Sequence, residues 1–129
     1  MGCIAFSPLA QGLLTNKYLN GVPENSRATA ENSSLLKTFM SKENLKHVRA
    51  LSEIAKGRGQ SLAQMAIAWV LRDKRVTSAL IGARNVEQLD NSLDAVKKLK
   101  FTEAELEAIE KHAVDGEIDL WRDARETMK

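Results

Sequence analysis

A single cysteine, Cys3, leaves this 129-residue chain no internal disulfide. Aromatic residues are only 5% of the sequence, and no apolar run approaches the roughly 18 residues of a membrane span. An export signal is missing too, because the apolar stretch Cys3–Phe6 is shorter than the ~7 residues a signal core needs. Met1-Gly2 does not open a myristoylation motif, since Phe6 stands where Ser or Thr is required. Charge of one sign is scarce: nineteen Lys and Arg against seventeen Asp and Glu leave +2, with no block dense enough to hold nucleic acid. These absences imply no membrane or nucleic-acid partner and a cytoplasmic protein. What is present, 43% hydrophobic and 28% charged residues, suffices for one packed domain or a piece of one.

The apolar run Cys-Ile-Ala-Phe at 3–6 reads as a buried strand with no polar lead-in, which implies sequence missing upstream. Ser7-Pro8-Leu9-Ala10-Gln11-Gly12 breaks it, and the polar stretch Asn20 to Ser34 reads as a long loop. From Ser41 the pattern turns helical, with Leu45, Val48, Leu51, Ile54 and Ala55 on one stripe and Gly57 and Gly59 as stop signals. Ser61 and Gln64 form a capping box before Leu62–Leu71, which is apolar nearly all round and so demands burial on several sides. Thr77–Ile81 reads as a short buried strand, Gly82-Ala83-Arg84 as a turn, and Asn85 with Gln88 as the cap of a helix carrying Leu89, Leu93 and Val96. Thr102 and Glu105 open a last capped helix with Leu106, Ile109 and Ala113 on one face.

Strands alternating with capped helices predict an α/β fold with parallel strands. Two strands leave two open edges and give the helix around Trp69 nothing within the chain to bury against, so the expectation is a sheet completed elsewhere. Two segments carry chemistry. The turn at Gly82 joins a helix start to a guanidinium able to grip phosphate in a fork, or it is an ordinary strand-to-helix connection. The Ser7–Gly12 segment follows a parallel strand, where α/β folds gather ligand loops, or it is a simple Pro-initiated turn. Cys3 reads as a buried small hydrophobe, and His47 and His112 as solvated residues with no partner at metal-ligand spacing, so no metal site is expected. Trp69 reads as core, whereas Trp121 in the tail is free to cover a pocket. A helix-turn-helix reading of 54–71 fails, because the second helix lacks polar side chains for base edges.

Three segments in register, Phe6–Tyr18, Leu62–Leu71 and Ile81–Leu89, resemble aldo-keto reductases. The likeness is strongest to the branch of L-glyceraldehyde 3-phosphate reductases and potassium channel β subunits, and it spans essentially the whole chain, including Asp119-Leu120-Trp121. The resemblance implies an NADP(H)-binding (β/α)8 TIM barrel in which Ser7 follows strand seven and Gly82 follows strand eight, with residues 1–129 a partial oxidoreductase domain. By the family pattern Ser7, Pro8, Leu9 and Gly12 would line the pyrophosphate and ribose, Ser26 and Arg27 would close over the cofactor, and Gly82, Arg84 and Gln88 would hold the adenosine phosphate end.

Arg84 stands where relatives usually have Ser, Asn91-Ser92 replaces a Glu-Asn pair, and Asn16 replaces a Gly, which leaves the choice between NADP and NAD open. The family's catalytic Asp, Tyr, Lys and His belong to the other half of the barrel, so no catalytic residue is assigned. Tyr18, Lys17, His47 and His112 do not occupy those contexts. A barrel needs about 250 residues. The expectation is therefore the C-terminal, cofactor-binding portion of an NADPH-dependent reductase of small aldehydes or ketones, inactive alone. The alternative is a non-enzymatic remnant, or a binding subunit completing a barrel with an N-terminal half or with a copy of itself.

Overall fold

The computed structural model describes residues 1–20, 40–116 and Met128. In chain order it has β1 (Ile4–Ala5), 3-10 turns at Ala10–Gly12 and Asn16–Tyr18, α1 (Lys42–Gly57), α2 (Leu62–Leu71), β2 (Ser78–Ala79), α3 (Val86–Leu93), a 3-10 turn at Asp94–Lys98 and α4 (Glu103–Glu110). The two strands pair in parallel, Ile4 opposite Ser78 and Ala5 opposite Ala79. The expected α/β pattern is present as an open, two-stranded sheet.

Each helix begins where its cap dictates. Ser41 accepts from the Asn44 amide at 3.1 Å, and both capping boxes, Ser61 with Gln64 and Thr102 with Glu105, are closed in both directions. At the other end of α1 the stop lies with Gly59 rather than Gly57. Gly59 has φ +71°, its amide donates to Lys56 O at 2.9 Å, and the Gln60 amide donates to Ala55 O at 3.0 Å. This Schellman closure turns the chain straight into α2.

Val48, Leu51 and Ala55 from α1, Leu62 and Met65 from α2, Leu13 and Ile109 form the buried cluster, with Trp69 and Phe101 packed at its margin. Contrary to the expectation that α2 has nothing to bury against, it packs on α1, α3, the 94–98 turn and β2. Those four contacts explain a helix that is apolar nearly all round. The unburied apolar surface falls instead on the strands and on α3. Side-chain alternation sends Ile4 and Leu80 to one face of the sheet, 68% and 57% exposed, so the strands are not buried on both sides as expected. Cys3 is exposed as well, not a core residue. In α3 the order is reversed: Ser92 is buried while Val86, Leu89 and Leu93 face outward, with Val96 beyond them. The sheet and this helix lack the neighbours their residues are suited to.

One polar group is set deep among these elements. The Arg58 side chain is 1% exposed, yet it ion-pairs with Glu105, donates to Gln60 Oε1 at 2.9 Å and reaches Lys98 O and Lys100 O at 3.2 Å each. Its plane lies 3.7 Å from the Phe101 ring centroid. A guanidinium tolerates burial only when its fork of donors is used, and here most of it is. The α1–α2 turn is thereby fastened to the segment leading into α4.

These contacts yield three expectations for stability. Arg58→Met leaves Lys100 O and the Glu105 carboxylate without their arginine donor, and should cost about 3 kcal/mol in urea unfolding at neutral pH. Gly59→Ala should cost about 1 kcal/mol, wholly through the backbone, since nothing lies within 4 Å of the added carbon. The Glu105 carboxyl is held below its ordinary 4.5 by the Thr102 amide and then by Arg58, against the opposing effect of burial. Its contribution is therefore complete above pH 4.5 and lost as pH falls toward the depressed value, so acid unfolding curves of wild type and Glu105→Gln should converge there.

Candidate functional site

Because β1 and β2 are parallel and in register, the chain leaves both at the same end of the sheet. The segment Ser7–Gly12 and the turn Gly82–Gln88 are therefore adjacent carboxyl-end loops, the position where parallel α/β sheets gather their binding loops. Among the described residues no hydrogen bond or ion pair links the two loops.

The first loop is held in a strained path. Ser7, Ala10 and Gln11 have φ of 51°, 46° and 57°, a left-handed region unfavourable to side-chain-bearing residues, and Gly12 follows at 98°. Turn hydrogen bonds lock the path: Ala10 N–H donates to Ser7 O at 3.0 Å, Gly12 N–H to Leu9 O at 2.9 Å, and the Thr15 hydroxyl to Gly12 O at 2.6 Å. Below it Leu13 and Tyr18 are buried, and the Tyr18 ring lies 3.6 Å from where a Gly12 Cβ would stand. Core side chains thus anchor one side of the loop while Ser7, Pro8, Leu9 and Gly12 remain half-buried at its rim. Such over-determined strain is a feature of binding loops. Tyr18, 2% exposed, is an anchor.

The second loop is polar and open. Asn85 Oδ1 accepts from the Gln88 amide at 2.8 Å, and Gln88 Oε1 accepts from the Arg84 amide at 3.0 Å. Two amides at this helix start are thus satisfied internally, which narrows the expectation of free N–H groups there. Glu87 in the first turn of α3 also works against an anion, so the guanidinium of exposed Arg84 is the favourable charge. Among the described residues nothing lies within 4 Å of where a Gly82 Cβ would stand. Asn91 Oδ1 accepts from the Ser61 hydroxyl at 3.2 Å, tying α3 to the cap of α2. Ser26, Arg27 and Trp121 lie outside the described residues.

The histidines differ from expectation. His47 and His112 are half-buried rather than solvated, and their Nδ1 atoms are 3.2 Å apart. Sequence spacing missed the pair because its members lie 65 positions apart. A polar groove beside α1, lined by Asn16, Arg49, Glu53 and Lys56 among others, takes no residue from either loop. Among the described residues there is no group of three or more His, Cys, Asp or Glu that could hold a metal, and no helix long and apolar enough to cross a membrane.

Residues 1–114 match the model of the Aldo/keto reductase family. The chain is 50% identical over 125 residues to an L-glyceraldehyde 3-phosphate reductase of Escherichia coli O157:H7, which covers 95% of this chain and 36% of that protein. The same reductase of Escherichia coli strain K12 gives the same identity and coverage. A putative voltage-gated potassium channel subunit beta of Schizosaccharomyces pombe is 38% identical over 99 residues, 74% of this chain and 29% of that protein. The chain spans about a third of the length of these curated relatives.

The strain in the first loop is measurable. Gln11→Gly should stabilise the chain by about 1 kcal/mol in denaturant unfolding, by removing a side chain from left-handed backbone. Gly12→Ala, at φ 98°, should destabilise it by a similar or larger amount.

Proposed function

Because this chain belongs to the aldo/keto reductase family, we propose that it is the C-terminal, cofactor-binding portion of an NADPH-dependent reductase of small aldehydes or ketones. In this reading residues 1–129 are a partial domain of a (β/α)8 barrel, β1 and β2 are its seventh and eighth strands, and the protein works in the cytoplasm. The observation that carries it is the parallel pairing, which sets the Ser7 and Gly82 loops side by side at one end of the sheet.

The residues present fit a dinucleotide. Ser7, Pro8, Leu9 and Gly12 supply a preset loop for the pyrophosphate and ribose. At the second loop the open space at Gly82 admits a ligand, Arg84 offers a forked donor to a phosphate, and Gln88 holds the Arg84 backbone in place. By the family pattern Ser26 and Arg27 would contribute to the same site. When bound, the nicotinamide cofactor supplies a hydride to a carbonyl carbon. The proton for the resulting alkoxide is assigned to no residue of this chain, so the catalytic acid comes from the remainder of the barrel.

The partner implied is that remainder. The outward stripe of Val86, Leu89, Leu93 and Val96 and the exposed sheet face of Ile4 and Leu80 both suit further strand–helix units. A copy of this chain, or a remnant with no activity, are the other outcomes of the test.

Mixed with NADPH and a small aldehyde, the chain alone should show no loss of nicotinamide absorbance above background, and turnover would overturn the reading. Calorimetric titration with NADPH should give binding once the remaining part of the Escherichia coli reductase is supplied. In that mixture Arg84→Ala should weaken affinity about tenfold to a hundredfold. Gly82→Ala should also weaken it, while leaving the unfolding free energy of the chain within about 0.5 kcal/mol.

A further inference from the structure

His47 lies in α1, and His112 lies just beyond the end of α4. Their Nδ1 atoms are 3.2 Å apart, their ring centroids 5.5 Å apart and their planes inclined by 53°. The centroid separation is close to the longest that this nitrogen distance allows, so the rings meet head-on rather than stacked. Such a contact needs one ring to donate N–H and the other to accept with a lone pair. On the far side of His47, Nε2 stands 3.3 Å from Glu43 Oε1. A second tie lies beside the first, where Asn44 Nδ2 donates to Gly116 O at 3.2 Å. The chain leaving α4 is thus pressed to the first turns of α1 by two neighbouring contacts.

Counting protons shows what this arrangement tolerates. With both rings neutral, one N–H lies between them. One added proton is accommodated on His47, where Nε2–H meets the Glu43 carboxylate while Nδ1–H donates to His112. A second proton, on His112, sets two N–H groups and two positive charges against each other with no acceptor between. Lys46 and Lys111, the sequence neighbours of the two rings, add to that positive potential, and Glu43 and Asp115 reduce it.

We propose that His47 and His112 form a proton-sensitive clasp, which holds the chain leaving α4 against α1 and opens when both rings are charged. Opening is local, because Ile109 stays in the buried cluster with Val48 and Leu51. What loosens is the last turn, where the amides of His112 and Ala113 donate to Ile109 O at 3.0 and 2.8 Å.

Hydrogen exchange of the 129-residue chain, corrected for intrinsic rates, tests this directly. Between about pH 7.5 and about pH 5.5 the His112 and Ala113 amides should lose about tenfold protection, with those of α2 unchanged. His112→Asn keeps a short polar group at the position without titrating, and should abolish the pH dependence. Glu43→Gln removes the carboxylate that favours the charged rings, and should move the loss to lower pH. Equal protection at both pH values, an undiminished pH dependence in His112→Asn, or an unmoved midpoint in Glu43→Gln would each overturn the clasp.

Discussion

A guanidinium removed from water has to find acceptors for its donors, and Arg58 finds them on three separate pieces of chain. Gln60 belongs to the α1–α2 turn, Lys98 and Lys100 to the end of the 94–98 turn and the connection after it, and Glu105 to the first turn of α4. The contact is reciprocated, since Lys98 Nζ donates back to Arg58 O at 2.7 Å. The Schellman closure at Gly59 delivers Arg58 to this point, and the Thr102–Glu105 box holds the carboxylate that meets it. With these parts fixed, Ile109 enters the cluster formed by α1 and α2, and the end of α4 comes to lie beside His47. The sites at the periphery inherit their geometry from this one buried charge.

The chain divides into a satisfied side and an unsatisfied one. Around α2 the apolar residues are covered on every flank. Around β1, β2 and α3 the distribution is inverted, with Ser92 inside and Leu89 and Leu93 outside. A helix that buries a hydroxyl and exposes its leucines is patterned for a neighbour on its outer side. The two carboxyl-end loops sit on this unsatisfied side, so the region with the most functional character is also the least supported by the chain itself.

Much of this was legible in the sequence wherever the determinant is local. The Ser61–Gln64 and Thr102–Glu105 boxes, the Asn85 cap and the stripe of α1 all depend on residues within four positions of one another. The family likeness of the Phe6–Tyr18 and Ile81–Leu89 segments identified both loops, and the parallel pairing sets them together. What escaped was set by tertiary placement. Arg58 lies between the two stop glycines, and its acceptors at Lys98, Lys100 and Glu105 come from 40 to 47 positions away. The histidines read as solvated because their contact joins residues 65 positions apart. Exposure of Cys3 and of the strands was missed because a run of apolar residues states a preference for burial without saying which chain provides it.

The bond from the Cys3 amide to Thr77 Oγ1, 3.0 Å long, joins residues 74 positions apart. Closing so long a loop costs entropy that only the finished helices can offset. The placement of β1 therefore rests on contacts remote in sequence rather than on its own neighbours. The two loops stand together only while that remote pairing is made, so a strand that took the place of β1 on the edge of β2 would also part the loops.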